Sequence, residues 1–194
     1  MRHLAVLMLV LAVAGCVRQS SDTPQFVGVP LKAGAVDGGF RLVDHHGRQR
    51  SLEDFRGKVV AIFFGYTHCP DVCPTALADM ARGVGLMGDM GRQVQVLFVT
   101  LDPERDRQEV LAQYVPAFDP GFLGLYGSPD VVAETAMRFK IYYKKVASPG
   151  RGRYTIDHAA GIYVFDKRGV PRIYLNHGQK PADIAHDLGI LAAE

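Results

Sequence analysis

The chain turns on Val59-Val60-Ala61-Ile62-Phe63-Phe64-Gly65-Tyr66-Thr67-His68-Cys69-Pro70-Asp71-Val72-Cys73-Pro74. Its first six residues are apolar and mostly β-branched or aromatic, as expected of a central strand covered on both faces. A helix is predicted from about Pro74, with proline in its first turn. Two of the chain's three cysteines, Cys69 and Cys73, therefore sit where a buried strand gives way to a helix start. In an exported protein such a pair is either a disulfide or a soft-metal site.

Outward from this stretch, strand and helix signals alternate. The helix after Cys73 carries Ala76, Leu77, Met80 and Ala81 on one side, and Gly83, Gly85 and Gly88 weaken its later part. Val94 to Leu101 reads as a second central strand. Asp106 is expected to cap a helix bearing Val110, Leu111, Tyr114 and Val115, and Ser128 to cap another over Pro129 to Lys140. Phe40 to Val43 followed by the turn Asp44-His45-His46-Gly47 predicts a hairpin. Ala160 to Phe165 and Arg172 to Leu175 flank a second turn, and Pro181 to Ala192 closes with a helix. The order predicts an α/β protein with a mixed central sheet flanked by helices. A parallel pair joined by a helix, with a terminal antiparallel hairpin, is the thioredoxin-like arrangement, here with an N-terminal β-hairpin extension over residues 35–194.

The N-terminus reads as a targeting segment. Arg2 and His3 precede an apolar run from Leu4 to Ala14, the length of a signal-peptide core and short of a membrane span. The run ends Val13-Ala14-Gly15-Cys16, which resembles a bacterial lipobox. Residues 1–15 are then a lipoprotein signal peptide and Cys16 the acylated residue. Residues 16–34 form a polar tether with a reach of roughly 55 Å. These features place the chain in the bacterial cell envelope, lipid-anchored and facing the periplasm. Val17, rather than Asp, follows the cysteine and leaves the choice of inner or outer membrane open. With Cys16 lipidated, Cys69 and Cys73 are the remaining thiols, in a compartment that permits disulfides. A net charge of +2 without a long basic run excludes a nucleic-acid footprint.

A helix running from Val72 would place Cys69 and Cys73 at i and i+4, about 6 Å apart at Cα, close enough for a disulfide or for one shared ion. The helix N-terminus is expected to lower at least the Cys73 pKa. Two thiolates favour Cu(I), and zinc less selectively; an added imidazole admits Cu(II). His158, just before a predicted strand, is the best candidate for a third ligand. His68 is expected to point outward, His45 and His46 to be solvated in their turn, and His177 and His186 to lie on the surface.

Phe64 to Thr75, Leu101-Asp102-Pro103-Glu104-Arg105-Asp106 and Asp157-His158 together resemble the signatures of the Sco/SenC family, in the same order over roughly residues 35–190. The resemblance implies a copper site of Cys69, Cys73 and His158. It also implies a role in assembling the copper centre of cytochrome c oxidase, by copper delivery, thiol reduction or both. Its partners would be oxidase subunit II or that subunit's copper-site cysteines, and an upstream copper donor. Asp71 is a weak candidate for an oxygen ligand. The chain departs from the usual pattern at Ala159, where a hydroxyl residue is common, and at Tyr126, where threonine is common.

Two other readings compete. A thiol–disulfide oxidoreductase without a copper role fits the fold and the paired thiols, with Cys69 and Cys73 as the catalytic redox pair. Against it stand the C-x-x-x-C spacing, where redox motifs use C-x-x-C, and Asp157-His158 where such enzymes place a proline. A peroxidase resembling peroxiredoxins shares Val72-Cys73-Pro74-Thr75 but lacks their threonine, since Pro70 stands at that position. The segment Asp102 to Asp106 reads as structural, with Arg105 paired to a nearby carboxylate.

Overall fold

A computed structural model describes residues 25–148 and 154–194. Its centre is the parallel pair β4 (Val59–Gly65) and β5 (Val94–Thr100), in which every residue of both strands is buried. Mostly apolar sequence with β-branched and aromatic side chains allows this, because both faces of a central strand need apolar cover; the buried polar side chains of β5 are bonded, Gln95 to the Gly121 carbonyl and Thr100 to Asp106. Each fully buried Val, Ile, Leu or Phe contributes about 1.5–3 kcal/mol, so these two strands anchor the domain.

Around them an eight-stranded mixed sheet has the order β1-β10-β9-β4-β5-β6-β2-β3. Here β1 is Val29–Pro30, β2 Leu42–Asp44, β3 Gln49–Arg50, β6 Leu123–Tyr126, β9 Ile162–Phe165 and β10 Pro171–Leu175. The N-terminal hairpin β2–β3 joins through β2 to β6, and the hairpin β9–β10 lies beside β4. Helices α1 (Val72–Leu86), α2 (Gln108–Tyr114), α3 (Pro129–Arg138) and α4 (Pro181–Ala193) flank the sheet. Ser128 caps α3 as expected, its hydroxyl accepting from the Val131 amide. Among the described residues no helix is long and apolar enough to cross a membrane.

Several expectations are corrected. Helix α1, whose later part the glycines were expected to weaken, runs through Gly83 and Gly85 to Leu86. A Cβ at Gly83 would stand 2.7 Å from Ile184 Cγ2, so the missing side chain lets α4 approach α1. Strand β6, Leu-Gly-Leu-Tyr, escaped the sequence reading because it is short and holds a glycine. An antiparallel pair, β7 (Tyr143–Ala147) and β8 (Tyr154–His158), was missed as well; His158 precedes the predicted strand, β9, and also ends a strand of its own. Asp106 does not cap α2, whose N-cap is Arg107. Residues 25–34, expected to belong to the tether, are docked: β1 pairs with β10, and buried Asp187 accepts the Val27 and Gly28 amides at 2.9 and 2.7 Å. The expected signal peptide and Cys16 lie outside the described residues.

His45 is also corrected, while His46 is exposed as expected. Buried Asp44 accepts the amides of His46 and Arg48, closing the turn. The turn carries His45 inward to 5% exposure, where its Nδ1 accepts the Gly124 amide at 3.0 Å. An accepting Nδ1 must be unprotonated, and burial lowers the His45 pKa from its usual 6.5. The unfolded chain therefore binds the proton more readily. His45 contributes full stability above about pH 6.5 and loses it as the pH falls below that value, by at most about 1.4 kcal/mol per pH unit. His45→Asn, whose Oδ1 can replace Nδ1 as acceptor, is expected to show a smaller fall in urea midpoint than the parent between pH 7.5 and 5.5. Equal falls in both proteins would show that His45 does not titrate on unfolding.

Candidate metal centre

Strand β4 delivers the chain to the loop that carries Cys69. Three hydrogen bonds to the wholly buried Asp106 fix this loop. Thr67 donates from its amide at 2.9 Å and its hydroxyl at 2.6 Å, and Thr100 at the end of β5 donates from its hydroxyl at 2.7 Å. Cys69 is half-buried ahead of the helix, and its Sγ accepts the Cys73 amide at 3.5 Å. The helix N-terminus is thus aimed at the sulfur of Cys69.

Cys73 is completely buried. A Cβ at Gly65 would stand 2.7 Å from its Sγ and 2.9 Å from the Phe98 ring, so glycine at the end of β4 makes room for the sulfur. The expected lowering of the Cys73 pKa is reversed: burial pushes the thiol well above its usual value, and the amide nearest its sulfur does not offset that. Both cysteines are free thiols.

His158 reaches the same place from β8. Its ring packs beside those of Phe63 and Tyr66, with centroids 6.3 and 6.0 Å away. His158 Nδ1 lies 2.9 Å from the Ala159 carbonyl, which can only accept, so Nδ1 carries the hydrogen. Burial lowers the His158 pKa and keeps the ring neutral. Its free lone pair is then on Nε2, which lies 3.6 Å from Cys73 Sγ. Two such donors sharing one tetrahedral ion would be about 3.5 Å apart. The alanine at 159 costs nothing here, because the backbone carbonyl orients the imidazole.

Cys73 and His158 are therefore already placed as a pair, with Cys69 beside them. Among the described residues no three His, Cys, Asp or Glu side chains converge on one ion position as they stand. Asp71 is exposed at the N-cap of α1 and accepts the Thr75 hydroxyl at 3.3 Å. His68, His177 and His186 are exposed, as expected. Tyr126, the other departure, donates its hydroxyl to Gln108 Oε1 at 2.9 Å. Gly65 and Asp106 are the residues of this site that the sequence reading missed; a glycine closing a buried strand directly before the cysteines was the available signal.

The sequence model of the SCO1/SenC family matches residues 29–193. The chain belongs to the SCO1/SenC family. It is 39% identical over 158 residues to the human mitochondrial SCO2 homolog, covering 80% of this chain and 59% of that protein. The chain thus spans about three-fifths of that relative's length. Among solved Sco structures, Bradyrhizobium japonicum ScoI with copper bound is 38% identical, with a TM-score of 0.75, covering 81% of this chain and 99% of that one. Apo Sco1 of Thermus thermophilus is also 38% identical, with a TM-score of 0.76 and coverage of 86% and 97%. The fold is thioredoxin-like, as the element order predicted.

The contact between Gly65 and Cys73 makes a direct prediction. Gly65→Ala forces Sγ or the helix start to move and should destabilise the domain by about 1–3 kcal/mol in urea unfolding. An unchanged midpoint would mean that the sulfur is not held against the strand.

Proposed function

We propose that this Sco protein binds copper through Cys69, Cys73 and His158 and serves the assembly of the copper centre of cytochrome c oxidase. The observation that carries this reading is the neutral imidazole Nε2 held 3.6 Å from the buried Cys73 sulfur. Copper as the cargo is supported by the donor set, two thiols and one imidazole, which suits Cu(I) and, through the imidazole, Cu(II). The copper-bound state of the 38% identical Bradyrhizobium protein supports it further. Rotation of the Cys69 side chain completes the three-donor set. The recipient is subunit II of the oxidase, or its copper-site cysteines, supplied in turn by an upstream copper donor.

The protein is proposed to act in the cell envelope, tethered through a lipid on Cys16. The β1–β10–β9–β4 registers bring residue 28 in beside Leu175, at the end of the sheet where β4 leads to the cysteines. Nine links from Cys16 to Gln25 span at most roughly 30 Å. On this reading the copper end of the domain stays close to the membrane.

A second reading, thiol–disulfide exchange, is favoured by the asymmetry of the pair. Cys69 is accessible and lies at a helix N-terminus, whereas Cys73 is buried. The two roles are compatible, because the thiols must be reduced to hold or release copper.

In Cu(I) and Cu(II) titrations of the chain lacking residues 1–24, His158→Ala should weaken Cu(II) binding by at least about tenfold. Cu(I) held by the two thiolates should be affected less. Undiminished Cu(II) affinity in that variant would sink the ligand assignment. A thiol reductase without a copper role should survive His158→Ala and reduce a model disulfide. In a deletion strain grown at limiting copper, the oxidase copper centre should be depleted and recover with added copper; full occupancy without the protein would count against the assembly role.

A further inference from the structure

His158 does not sit on the main sheet. It ends β8, and among the described residues β7 and β8 pair with each other and with no strand of the eight-stranded sheet. A two-stranded ribbon is at best marginally stable in water. Something must hold this arm if Nε2 is to remain beside Cys73.

The arm is fastened along one face. Successive side chains of a strand alternate, so Tyr154, Ile156 and His158 share a side. Ile156 is buried in the core, and His158 packs on Phe63 and Tyr66. The Tyr154 hydroxyl donates to Asp102 Oδ1 at 2.6 Å. The guanidinium of Arg105 lies over the Tyr154 ring, 3.6 Å from its centroid, and its Nη1 donates to the Tyr154 carbonyl at 3.2 Å. Arg105 Nε also bonds to Asp102. On the other strand, Lys145 pairs with Glu104 at 2.8 Å and stands 4.8 Å from the Tyr154 ring.

The turn at residues 102–106 therefore touches both halves of the site. Asp106 holds Thr67 and with it the cysteine loop. Asp102 and Arg105 hold Tyr154 and with it the histidine arm. The Asp106 amide donates to the Asp102 carbonyl at 2.8 Å, which locks the two aspartates in one tight turn. Among the described residues the buried Nη2 of Arg105 has no hydrogen-bond partner, so stacking and the bonds of Nε and Nη1 hold the side chain in place. It also lies 5.9 Å from the Tyr66 ring, the ring against which His158 packs.

We propose that the turn at residues 102–106 is the common reference that sets the distance between His158 and Cys73, with Arg105 and Tyr154 as positioning residues that latch the arm. Neither residue contacts the ion. The latch determines how often the imidazole is available to it. The inference rests on the proposed copper site for its functional meaning, but the latch itself can be tested without metal.

Two variants separate the contributions. Tyr154→Phe keeps the ring and removes the hydroxyl bonded to Asp102; Arg105→Gln removes the stacked cation. In the metal-free protein, both should accelerate amide hydrogen exchange in residues 154–158 by about tenfold, the value of one charge-assisted hydrogen bond. Exchange in β4 and β5 should stay as in the parent. With copper, both should weaken Cu(II) binding by about tenfold and diminish the imidazole signature in the Cu(II) spectrum, while Cu(I) affinity stays within about threefold. In a His158→Ala background, Tyr154→Phe should have no further effect on Cu(II) binding, because the latch acts through that imidazole. Parental exchange in the arm, or a Tyr154→Phe effect that adds in full to that of His158→Ala, would overturn the proposal. If Arg105→Gln fails to fold, Tyr154→Phe decides alone. Failure of the parent to bind copper would defeat the copper reading, and arm exchange would still decide the latch.

Discussion

The functional end of this protein hangs on one buried carboxylate. Asp106 is shielded from solvent and receives three hydrogen bonds, two from Thr67 and one from Thr100. A buried charge without partners would be prohibitive; with three donors bonded to it, the carboxylate becomes a rigid node. The node joins the end of β5 to the loop leaving β4 and fixes where Cys69 and the start of α1 must lie. The neighbouring Thr100 hydroxyl, which donates to Asp106, also accepts the Asp102 amide at 2.9 Å. Order therefore passes from the core strands to the cysteine loop and the histidine arm through a single turn.

The cysteine pair shows how two opposing effects are resolved. A helix N-terminus favours a nearby anion by about 0.3–1 kcal/mol, rising to about 2 in favourable sites. Taking an unpaired thiolate into an apolar site costs several times more. Cys73 lies under that larger penalty, with its sulfur against Gly65 and the Phe98 ring, and remains a thiol. Cys69, less buried, takes the helix amide. On the proposed reading, a soft cation supplies the charge compensation that the apolar surroundings withhold, so binding the ion and releasing the Cys73 proton are one coupled event. The same burial keeps His158 neutral, with its lone pair on the nitrogen that faces Cys73. The metal-free site is thus electrically quiet, and on the proposed reading it needs little reorganisation at the imidazole when an ion binds.

The fold supplies the two halves by different means. The cysteines come from the end of a fully buried parallel strand and inherit its rigidity. The histidine comes on a ribbon outside the sheet and depends on side-chain contacts for its position. On the proposed reading, rigidity on one side and a tethered arm on the other suit the holding of an ion and its surrender.

The sequence by itself determined the elements whose physics is local. β4 was legible because its run is apolar, β5 because its run is mostly apolar and β-branched despite Gln95, and α3 because Ser128 and Pro129 mark its start. Cys69 and Cys73 stood out as a thiol pair at a strand-to-helix junction, and His158 by its place before a predicted strand. The family was readable from three ordered motifs. The tertiary structure alone decided what depends on distant partners. Asp106 meets Thr67 across 39 residues and Tyr154 meets Asp102 across 52, so the local sequence suggested only a helix cap at Asp106 and nothing for Tyr154. His45 looked like a solvated turn residue until Gly124 was brought against it. Strands β7 and β8 carry mixed, partly charged sequence, because their cover comes from contact with the 102–106 turn and not from an apolar run of their own. The thiol's protonation was set by the depth of burial, which neighbours in space determine and neighbours in sequence do not.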